Sequence, residues 1–182
     1  MRNTTIVVLL ALAAPSASAE VTDSAMNGFT TANEVIIAES RAETWVAAVG
    51  QIGRWWSSDH TISGDASRLS IRPEMQGCFC ETLGNTAGVV HLVVTMVNPT
   101  HLLRMTGGLG PLGLMGVDGN MTWDFDETEQ GTRIRFKYAV GGYLDGGLDQ
   151  LAGPVDSVLR EALGRLKLYI ETGSPEEPAD LE

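Results

Sequence analysis

The segment LDQLAGPVDSVLREALGRLKLYI, residues 148–170, carries apolar residues at intervals of three and four. That spacing places a broad apolar stripe on one face of a helix and most charged residues on the other. Gly173 follows the segment and is a typical helix stop signal. From residue 154 to residue 172 the helix would be roughly 28 Å long, enough to cross a small domain. So wide a stripe requires a large apolar partner surface.

Strand-like runs between residues 69 and 138 can supply that surface. Apolar and polar residues alternate in them, and turn residues separate them, which predicts an antiparallel sheet with one covered and one solvated face. In the clearest hairpin, Asp124 and Asp126 would lie near Arg133 and Arg135 and support the strand register. The sequence therefore predicts an α+β fold in which a curved antiparallel sheet of about six or seven strands wraps around the long C-terminal helix.

The chain before these strands is expected to hold one more strand and two short helices. Residues 34–38 form a β-rich run. Ser40 is a suitable N-cap for a helix over residues 42–49, and residues 51–57 predict a second short helix.

The first nineteen residues have the features of a signal peptide. Arg2 provides a positive start, residues 6–14 are apolar, and residues 17–19 (ASA) have the small residues that signal peptidase recognises. The sequence predicts cleavage after Ala19 and export to the periplasm or the exterior, where cysteines meet an oxidising environment.

Composition indicates a single domain and limits its partners. The chain has 182 residues, is 43% hydrophobic and carries a formal net charge of −11. Its basic residues are scattered, whereas nucleic acids and anionic lipids favour clustered Lys and Arg, so we expect neither as a partner. No apolar run of the mature chain is long enough for a membrane span. We expect one domain over residues 32–173, a loose leader at 20–31 and a disordered acidic tail at 174–182.

The order strand, two short helices, sheet, long helix resembles the helix-grip fold of the START-like (SRPBCC) superfamily. That superfamily includes the plant pollen allergen Bet v 1, polyketide cyclases and the Hsp90-activator homology domain. The matching stretches are WV at 45–46, IGRWW at 52–56, VNP at 97–99, LLR at 102–104, GNMTW at 119–123, GTR at 131–133 and the helix at 158–169. The resemblance covers about residues 29–173. It implies a hydrophobic ligand enclosed between sheet and helix, with no obligate cofactor.

Residues 107–119 are rich in glycine and leucine. Gly108, Gly110 and Gly113 satisfy G-x-G-x-x-G, but a dinucleotide site needs a helix to open there, and more glycine and a strand follow instead. The stretch is too apolar for an ordinary loop, which predicts a mobile apolar flap. Two interpretations remain: the flap caps the core, or it gates a ligand cavity between sheet and helix.

The candidate lining residues of that cavity are apolar or aromatic side chains on the elements around it. They are Trp56, Val94, Met105, Leu109, Met115, Met121, Trp123, Phe136, Tyr138, Tyr143, Val155 and Leu159. Gly153-Pro154 predicts a kink or a break of the long helix near its start. We therefore expect the ligand at the 148–155 end of the helix and plain core packing from Val158 onward.

Cys78 and Cys80 lie two apart on a predicted strand and would point to one face. A disulfide between them would strain an extended backbone. With His60 or His91 they could form a soft-metal site, and buried or intermolecular thiols are the alternatives.

The candidates for catalysis are few, because the three histidines lie far apart in the sequence. His60, beside Asp59 in the loop after the tryptophans, is the best placed to reach a cavity mouth and perform acid–base chemistry. His91 is expected to point outward, on the strand face opposite the apolar residues Leu92 and Val94.

Three functions remain open on the sequence. The first is binding of a hydrophobic small molecule or lipid. The second is a polyketide cyclase- or dehydratase-like enzyme, which requires polar groups that converge inside the cavity. The third is a protein-interaction domain like the Hsp90-activator homology domain, which requires an exposed apolar patch over a filled interior.

Overall fold

A computed structural model describes residues 18–177, and side chains from Val21 onward. Most of the predicted signal peptide and residues 178–182 of the predicted tail lie outside the described residues. The strands are β1 (Ser18–Ala25), β2 (Gly28–Ile37), β3 (Leu69–Ile71), β4 (Cys78–Thr82), β5 (Gly88–Asn98), β6 (Leu102–Thr106), β7 (Gly116–Thr128) and β8 (Gly131–Tyr143). The α-helices are α1 (Arg41–Gly50), α2 (Ile52–Trp55) and α3 (Asp149–Thr172), and short 3-10 helices span Ser58–His60, Ala66–Arg68 and Gly110–Leu114.

The eight strands form one curved antiparallel sheet in the order β1-β2-β8-β7-β6-β5-β4-β3. Together with the C-terminal helix this confirms the predicted α+β helix-grip architecture. The prediction of a loose leader at residues 20–31 is wrong, because those residues form most of β1 and the start of β2. Backbone pairing with β2 holds β1 at the edge of the sheet, so β1 does not need an apolar face that the sequence would reveal.

The register of the β7–β8 hairpin follows its charges. Asp124 lies opposite Arg135, and Asp126 lies opposite Arg133. An Nη2 nitrogen of Arg133 donates to Asp126 at 2.7 Å, as the sequence predicts. Arg135 instead donates to Glu34 of β2 at 2.6 Å. Charge pairs therefore link three neighbouring strands on the solvated face of the sheet.

Helix α3 is a single continuous helix. It ends at Gly173, whose φ of +83° is the left-handed conformation of a helix C-cap. The predicted alternative of a break at Pro154 is wrong, because a proline this near the helix start removes only one backbone hydrogen bond, to the carbonyl of Gln150. Leu159, Leu163 and Leu166 lie on the apolar face and are fully or almost fully buried against the sheet.

The N-terminus of α1 is capped as the sequence predicts. The Ser40 Oγ atom accepts a hydrogen bond from the backbone N–H of Glu43 at 3.3 Å, and the two side chains contact each other at 2.7 Å. The cap fixes the start of the helix that carries Trp45 into the core.

Aromatic side chains fill the space beneath the central strands. Trp123 stacks on Phe136 with ring centroids 4.2 Å apart and contacts Trp55 at 6.2 Å. Trp45 packs edge-on against Phe125 at 5.1 Å. The centre of the domain is therefore solid, and open space must lie toward one end of α3.

Candidate ligand-binding site

A cavity of about 300 Å³ lies beside the N-terminal half of α3. The loop from Leu109 to Met115 covers it, and the segment from Trp56 to Ile62 forms another wall. The lining is mostly apolar, and its members are Trp56, Asp59, His60, Thr61, Ile62, His91, Leu109, Gly110, Pro111, Leu112, Met115, Leu151, Pro154, Val155, Val158 and Leu159. The cavity borders the 148–155 end of the helix, where the sequence leads us to expect a ligand. It also reaches Val158 and Leu159, so the prediction of plain core packing from Val158 onward is wrong.

The structure brings some of the candidate lining residues together and separates others. Trp56, Leu109, Met115, Val155 and Leu159 line the cavity. The candidates that are instead buried in the solid core are Val94, Met105, Met121, Trp123, Phe136 and Tyr138. Tyr143 lies at the end of β8 and is 76% exposed. The candidates on the central strands are not part of the lining because Trp45 and Trp55 pack against the concave face of the sheet there. The apolar cavity lies instead beside the loop from Leu109 to Met115.

The flap is shorter than predicted. Only residues 107–115 form a loop, since β7 begins at Gly116. Its centre is the 3-10 helix Gly110–Leu114, in which Leu112 is buried and Leu114 is 88% exposed. Gly108 allows the loop to close on itself, because a Cβ atom there would lie 2.5 Å from the Gly113 nitrogen. No α-helix opens at these glycines, which agrees with the rejection of a dinucleotide site.

Tyr138 anchors the flap to the sheet. Its hydroxyl donates a hydrogen bond to the carbonyl of Gly107 at 2.7 Å and accepts one from the N–H of Leu109 at 3.0 Å. Burial raises the pKa of Tyr138 to about 12, although the hydrogen bond from Leu109 acts in the opposite direction. The phenol is therefore neutral, and its proton is available to hold the flap at Gly107.

His91 points into the protein, and the predicted outward orientation is wrong. Phe79 pairs with Leu92 and Cys80 pairs with Val90, which leaves His91 as the extra residue of a β-bulge in β5. Because a bulge shifts the alternation of side chains by one position, His91 and Leu92 are both buried and Val90 is 59% exposed.

The buried partner of His91 is Glu81 of β4. The Nε2 atom of His91 lies 3.0 Å from a carboxylate oxygen of Glu81, and both side chains are at most 4% exposed. The same carboxylate accepts hydrogen bonds from the backbone N–H groups of Ile62 and Ser63. Burial alone would raise the pKa of Glu81, but these hydrogen bonds outweigh it and hold the pKa below its usual value. Glu81 is thus a buried anion.

The second ring nitrogen of His91 faces the flap. The N–H of Gly110 lies 3.3 Å from Nδ1, so Nδ1 is the acceptor and Nε2 carries the proton toward Glu81. The sequence did not reveal this pair, because Glu81 and His91 stand on different strands and only the bulge brings the imidazole inward. Glu81, which directly follows Cys80, belongs to no sequence motif that would indicate a binding or catalytic role.

His60 lines the cavity, as predicted, but its partner differs from the prediction. The Nε2 atom of His60 lies 3.0 Å from a carboxylate oxygen of Glu161 on α3. Asp59 also lines the cavity, although its side chain makes no contact of this kind with His60. The His60 side chain is 30% exposed, so it stands at the mouth of the cavity.

Cys78 and Cys80 form a disulfide with each other, so they are neither the buried or intermolecular thiols nor the soft-metal ligands that the sequence left open. Their Cα atoms are 5.4 Å apart, within the range that a disulfide spans, at the point where the β4–β5 register shifts. Cysteines joined in this way do not bind a metal. Within residues 18–177, no group of three or more metal-ligating side chains is found. The described helices include none that is both long and apolar enough to cross a membrane.

The curved sheet and the C-terminal helix form a helix-grip domain like those of the START-like superfamily. The family model described as polyketide cyclase/dehydrase and lipid transport matches residues 26–171. The chain belongs to that family. A search of curated proteins found no significant match.

Solved structures share the fold at low sequence identity. A conserved protein of unknown function from Enterococcus faecalis is 14% identical, with a TM-score of 0.59, and the match covers 89% of this chain and 82% of that one. A protein from Mesorhizobium loti is 16% identical, with a TM-score of 0.58 and coverage of 78% and 96%. CalU16 from Micromonospora echinospora is 14% identical, with a TM-score of 0.55 and coverage of 90% and 88%. These similarities concern the fold alone.

Proposed function

We propose that the protein binds a hydrophobic small molecule or lipid chain in the cavity beside α3, without an obligate cofactor. The observation that carries this proposal is an apolar cavity of about 300 Å³ between α3, the flap and the segment from Trp56 to Ile62. Small-molecule sites usually measure about 300–1,000 Å³, so the cavity suits a small ligand or part of a larger one. An internal cavity also favours ligand binding over the protein-interaction function.

The flap and the segment from Trp56 to Ile62 face each other across the cavity. Tyr138, the carbonyl of Gly119 and His91 hold the flap to the sheet, and Leu109 and Met115 face the cavity from it. Methionine is flexible and polarizable, so Met115 can adapt to ligands of different shape. The contact between His60 and Glu161, at 3.0 Å, joins the opposite wall to α3.

Binding is tested by titration with a small apolar probe such as 2-methylnaphthalene, followed by fluorescence. Val155→Trp places a large side chain in the cavity and is expected to abolish binding. Val46→Trp is the matched control, because Val46 lies on α1 beside a separate surface groove. The proposal fails if the wild-type protein does not bind the probe, or if Val46→Trp rather than Val155→Trp blocks it.

We also propose that the protein is exported after cleavage near Ala19. The disulfide between Cys78 and Cys80 supports this proposal, because such bonds persist in oxidising compartments and are rare in the cytosol. Cleavage after Ala19 would leave residues 20–25 of β1 to pair with β2. Mass spectrometry of the protein recovered from its own cells is expected to find an N-terminus near Glu20, and a mature chain that begins at Met1 would contradict export.

A cyclase- or dehydratase-like activity is the second candidate, because two carboxylate–histidine pairs border the cavity. Glu81 orients His91, and Glu161 contacts His60. Either imidazole could remove a proton next to a ligand carbonyl. Deuterium exchange into the methyl group of acetophenone, followed by NMR, tests this activity. Exchange that is accelerated by the wild-type protein and lost in His60→Gln or in His91→Leu supports it and identifies the base, whereas exchange at the rate of buffer, or acceleration that survives in both variants, excludes it for this ketone.

A further inference from the structure

We propose that His91 selects ligands that carry a hydroxyl group, and that the ligand hydroxyl replaces the Gly110 N–H on the Nδ1 atom of His91. Glu81 is the positioning residue that makes this possible. The inference rests on the proposed binding function and names the chemistry of the same cavity: an apolar body with one hydrogen-bond donor at its inner end.

The first step of the reasoning is the state of the imidazole. Glu81 is held by the backbone N–H groups of Ile62 and Ser63 as well as by His91, so the carboxylate cannot turn away. The anion next to Nε2 holds a proton on that nitrogen, and the Gly110 N–H that points at Nδ1 from 3.3 Å requires a lone pair there. Nδ1 is therefore a hydrogen-bond acceptor of fixed direction.

The second step is the position of that acceptor. His91 is 5% exposed, yet it contributes to the cavity lining. The other polar side chains of the described lining are engaged or lie near solvent: Thr61 donates to the carbonyl of Ser58 at 2.7 Å, His60 contacts Glu161, and Asp59 is exposed. His91 is thus the polar group at the buried end, where a hydrogen bond is worth most for selectivity.

The third step concerns the flap. The Gly110 N–H donates to Nδ1 at 3.3 Å, which is a long hydrogen bond. Gly110 has a φ of +58°, a left-handed conformation that glycine adopts at little cost, and no other atom lies within 4 Å of the place a Cβ atom would occupy, so the backbone here is not wedged by its neighbours. Leu109 stays bound to Tyr138 next to it. A ligand hydroxyl can therefore displace one flap contact while the anchor of the flap remains.

A ligand without a donor gains nothing at this position. It must either leave the Gly110 contact in place or bury Nδ1 without a partner, and an unpaired buried acceptor is unfavourable. A ligand hydroxyl instead forms a new hydrogen bond with Nδ1 in place of the long contact from the Gly110 N–H. Selection between a ligand with a hydroxyl group and a ligand without one thus depends on the Nδ1 atom of His91.

The experiment compares 2-naphthol with 2-methylnaphthalene, which has nearly the same shape but no donor. The ratio of their dissociation constants is measured by fluorescence titration for the wild-type protein, for His91→Leu and for His101→Leu. His101 is the matched control, because it is exposed at the β5–β6 turn, away from the cavity. We expect the preference for 2-naphthol to fall about fivefold to tenfold in His91→Leu and to stay unchanged in His101→Leu.

The possible results separate this inference from the proposed function. If both probes bind and His91→Leu leaves their ratio unchanged, the inference is wrong and the binding function stands. If neither probe binds the wild-type protein, the binding function itself fails, and the inference fails with it.

A measurement on the wild-type protein covers the case in which His91→Leu does not fold. The ¹⁵N chemical shifts of the His91 ring, at neutral pH, are expected to show a proton on Nε2 both without and with 2-naphthol. The Gly110 amide resonance is expected to shift with 2-naphthol and to shift much less with 2-methylnaphthalene. A proton on Nδ1, or equal shifts of Gly110 with both probes, would overturn the inference.

Discussion

Replacing Tyr138 with phenylalanine is expected to loosen the flap while the sheet stays intact. The substitution removes one oxygen atom, and the ring, which is fully buried, can stay in its place. Two hydrogen bonds are lost, from the hydroxyl to the Gly107 carbonyl and from the Leu109 N–H to the hydroxyl. At about 0.5–1.5 kcal/mol for each bond, the loss is about 1–3 kcal/mol. Because Gly107 and Leu109 are only partly buried, water can form some of the hydrogen bonds that the hydroxyl no longer makes. We therefore expect a loss in the lower half of this range.

The assay for Tyr138→Phe has two parts. Urea denaturation measures the free energy of unfolding, and hydrogen exchange followed by NMR measures the protection of the Leu109 amide. We expect that protection to fall about tenfold while the amides of the central strands change less. Tyr143→Phe is the matched control, since Tyr143 is an exposed tyrosine on the same strand. Unchanged protection of Leu109 in Tyr138→Phe would refute the role of the hydroxyl as the anchor of the flap.

The same variant has a distinct dependence on pH. The pKa of Tyr138 is raised to about 12 from its usual 10.0, so the folded state holds the phenol proton more tightly than the unfolded state. The stabilisation is complete below pH 10 and is lost as the pH rises toward 12. Over that interval the wild-type protein is expected to lose roughly 2–3 kcal/mol more than Tyr138→Phe. Equal losses in both proteins would show that Tyr138 titrates as an ordinary tyrosine.

Three other changes test the surroundings of the cavity. The pKa of Glu81 is lowered from 4.5, so its contribution to stability is present above pH 4.5 and is lost as the pH falls through the lowered value. Urea denaturation between pH 3 and pH 6 is therefore expected to show a smaller change in the free energy of unfolding for Glu81→Gln than for the wild-type protein. Leu159 is fully buried, so Leu159→Ala enlarges the cavity and is expected to lower the free energy of unfolding, measured in urea, by about 2–5 kcal/mol. A loss below about 1 kcal/mol would contradict the tight packing of the Leu159 side chain. The disulfide between Cys78 and Cys80 closes a very short loop, so the chain-entropy model gives only about 1–2 kcal/mol, and unfolding with and without reductant is expected to differ by no more than that.

The features that the sequence predicts well are those set by local periodicity. The three- and four-residue spacing after residue 148 identifies α3, because an apolar stripe of that width has no stable arrangement except against a sheet or another helix. The alternating charges of β7 and β8 identify their register, because residues that face each other across two strands contact directly. Both features depend on neighbours in sequence or on one hairpin.

The features that the sequence does not predict depend on pairing between strands. The orientation of His91 follows from one extra residue in β5 relative to β4, and no single strand shows this in its own pattern. The polar, small residues of β1 look like a loose leader because an edge strand is held by its backbone. The contact between Glu81 and His91 therefore cannot be predicted from either strand alone, because it depends on how β4 and β5 pair.

The position of the cavity depends on packing in three dimensions. The sequence places Met105, Met121 and Trp123 correctly on the inward face of the sheet, and all three are fully buried there. Whether an inward face borders a cavity or a solid core depends on the volumes of the side chains opposite it. Here Trp55 packs against Trp123 and Trp45 against Phe125, while the apolar cavity lies under the flap.

The most direct test of ligand binding in this cavity is the set of NOE contacts between bound 2-methylnaphthalene and methyl-labelled protein. The predicted result is contacts from the ligand to the methyl groups of Val155, Leu159 and Met115, which line the cavity. Val46 and Ile170 border the separate groove beside α1 and are expected to show none. Contacts to Val46 and Ile170 without contacts to Val155 and Leu159 would contradict the proposed site.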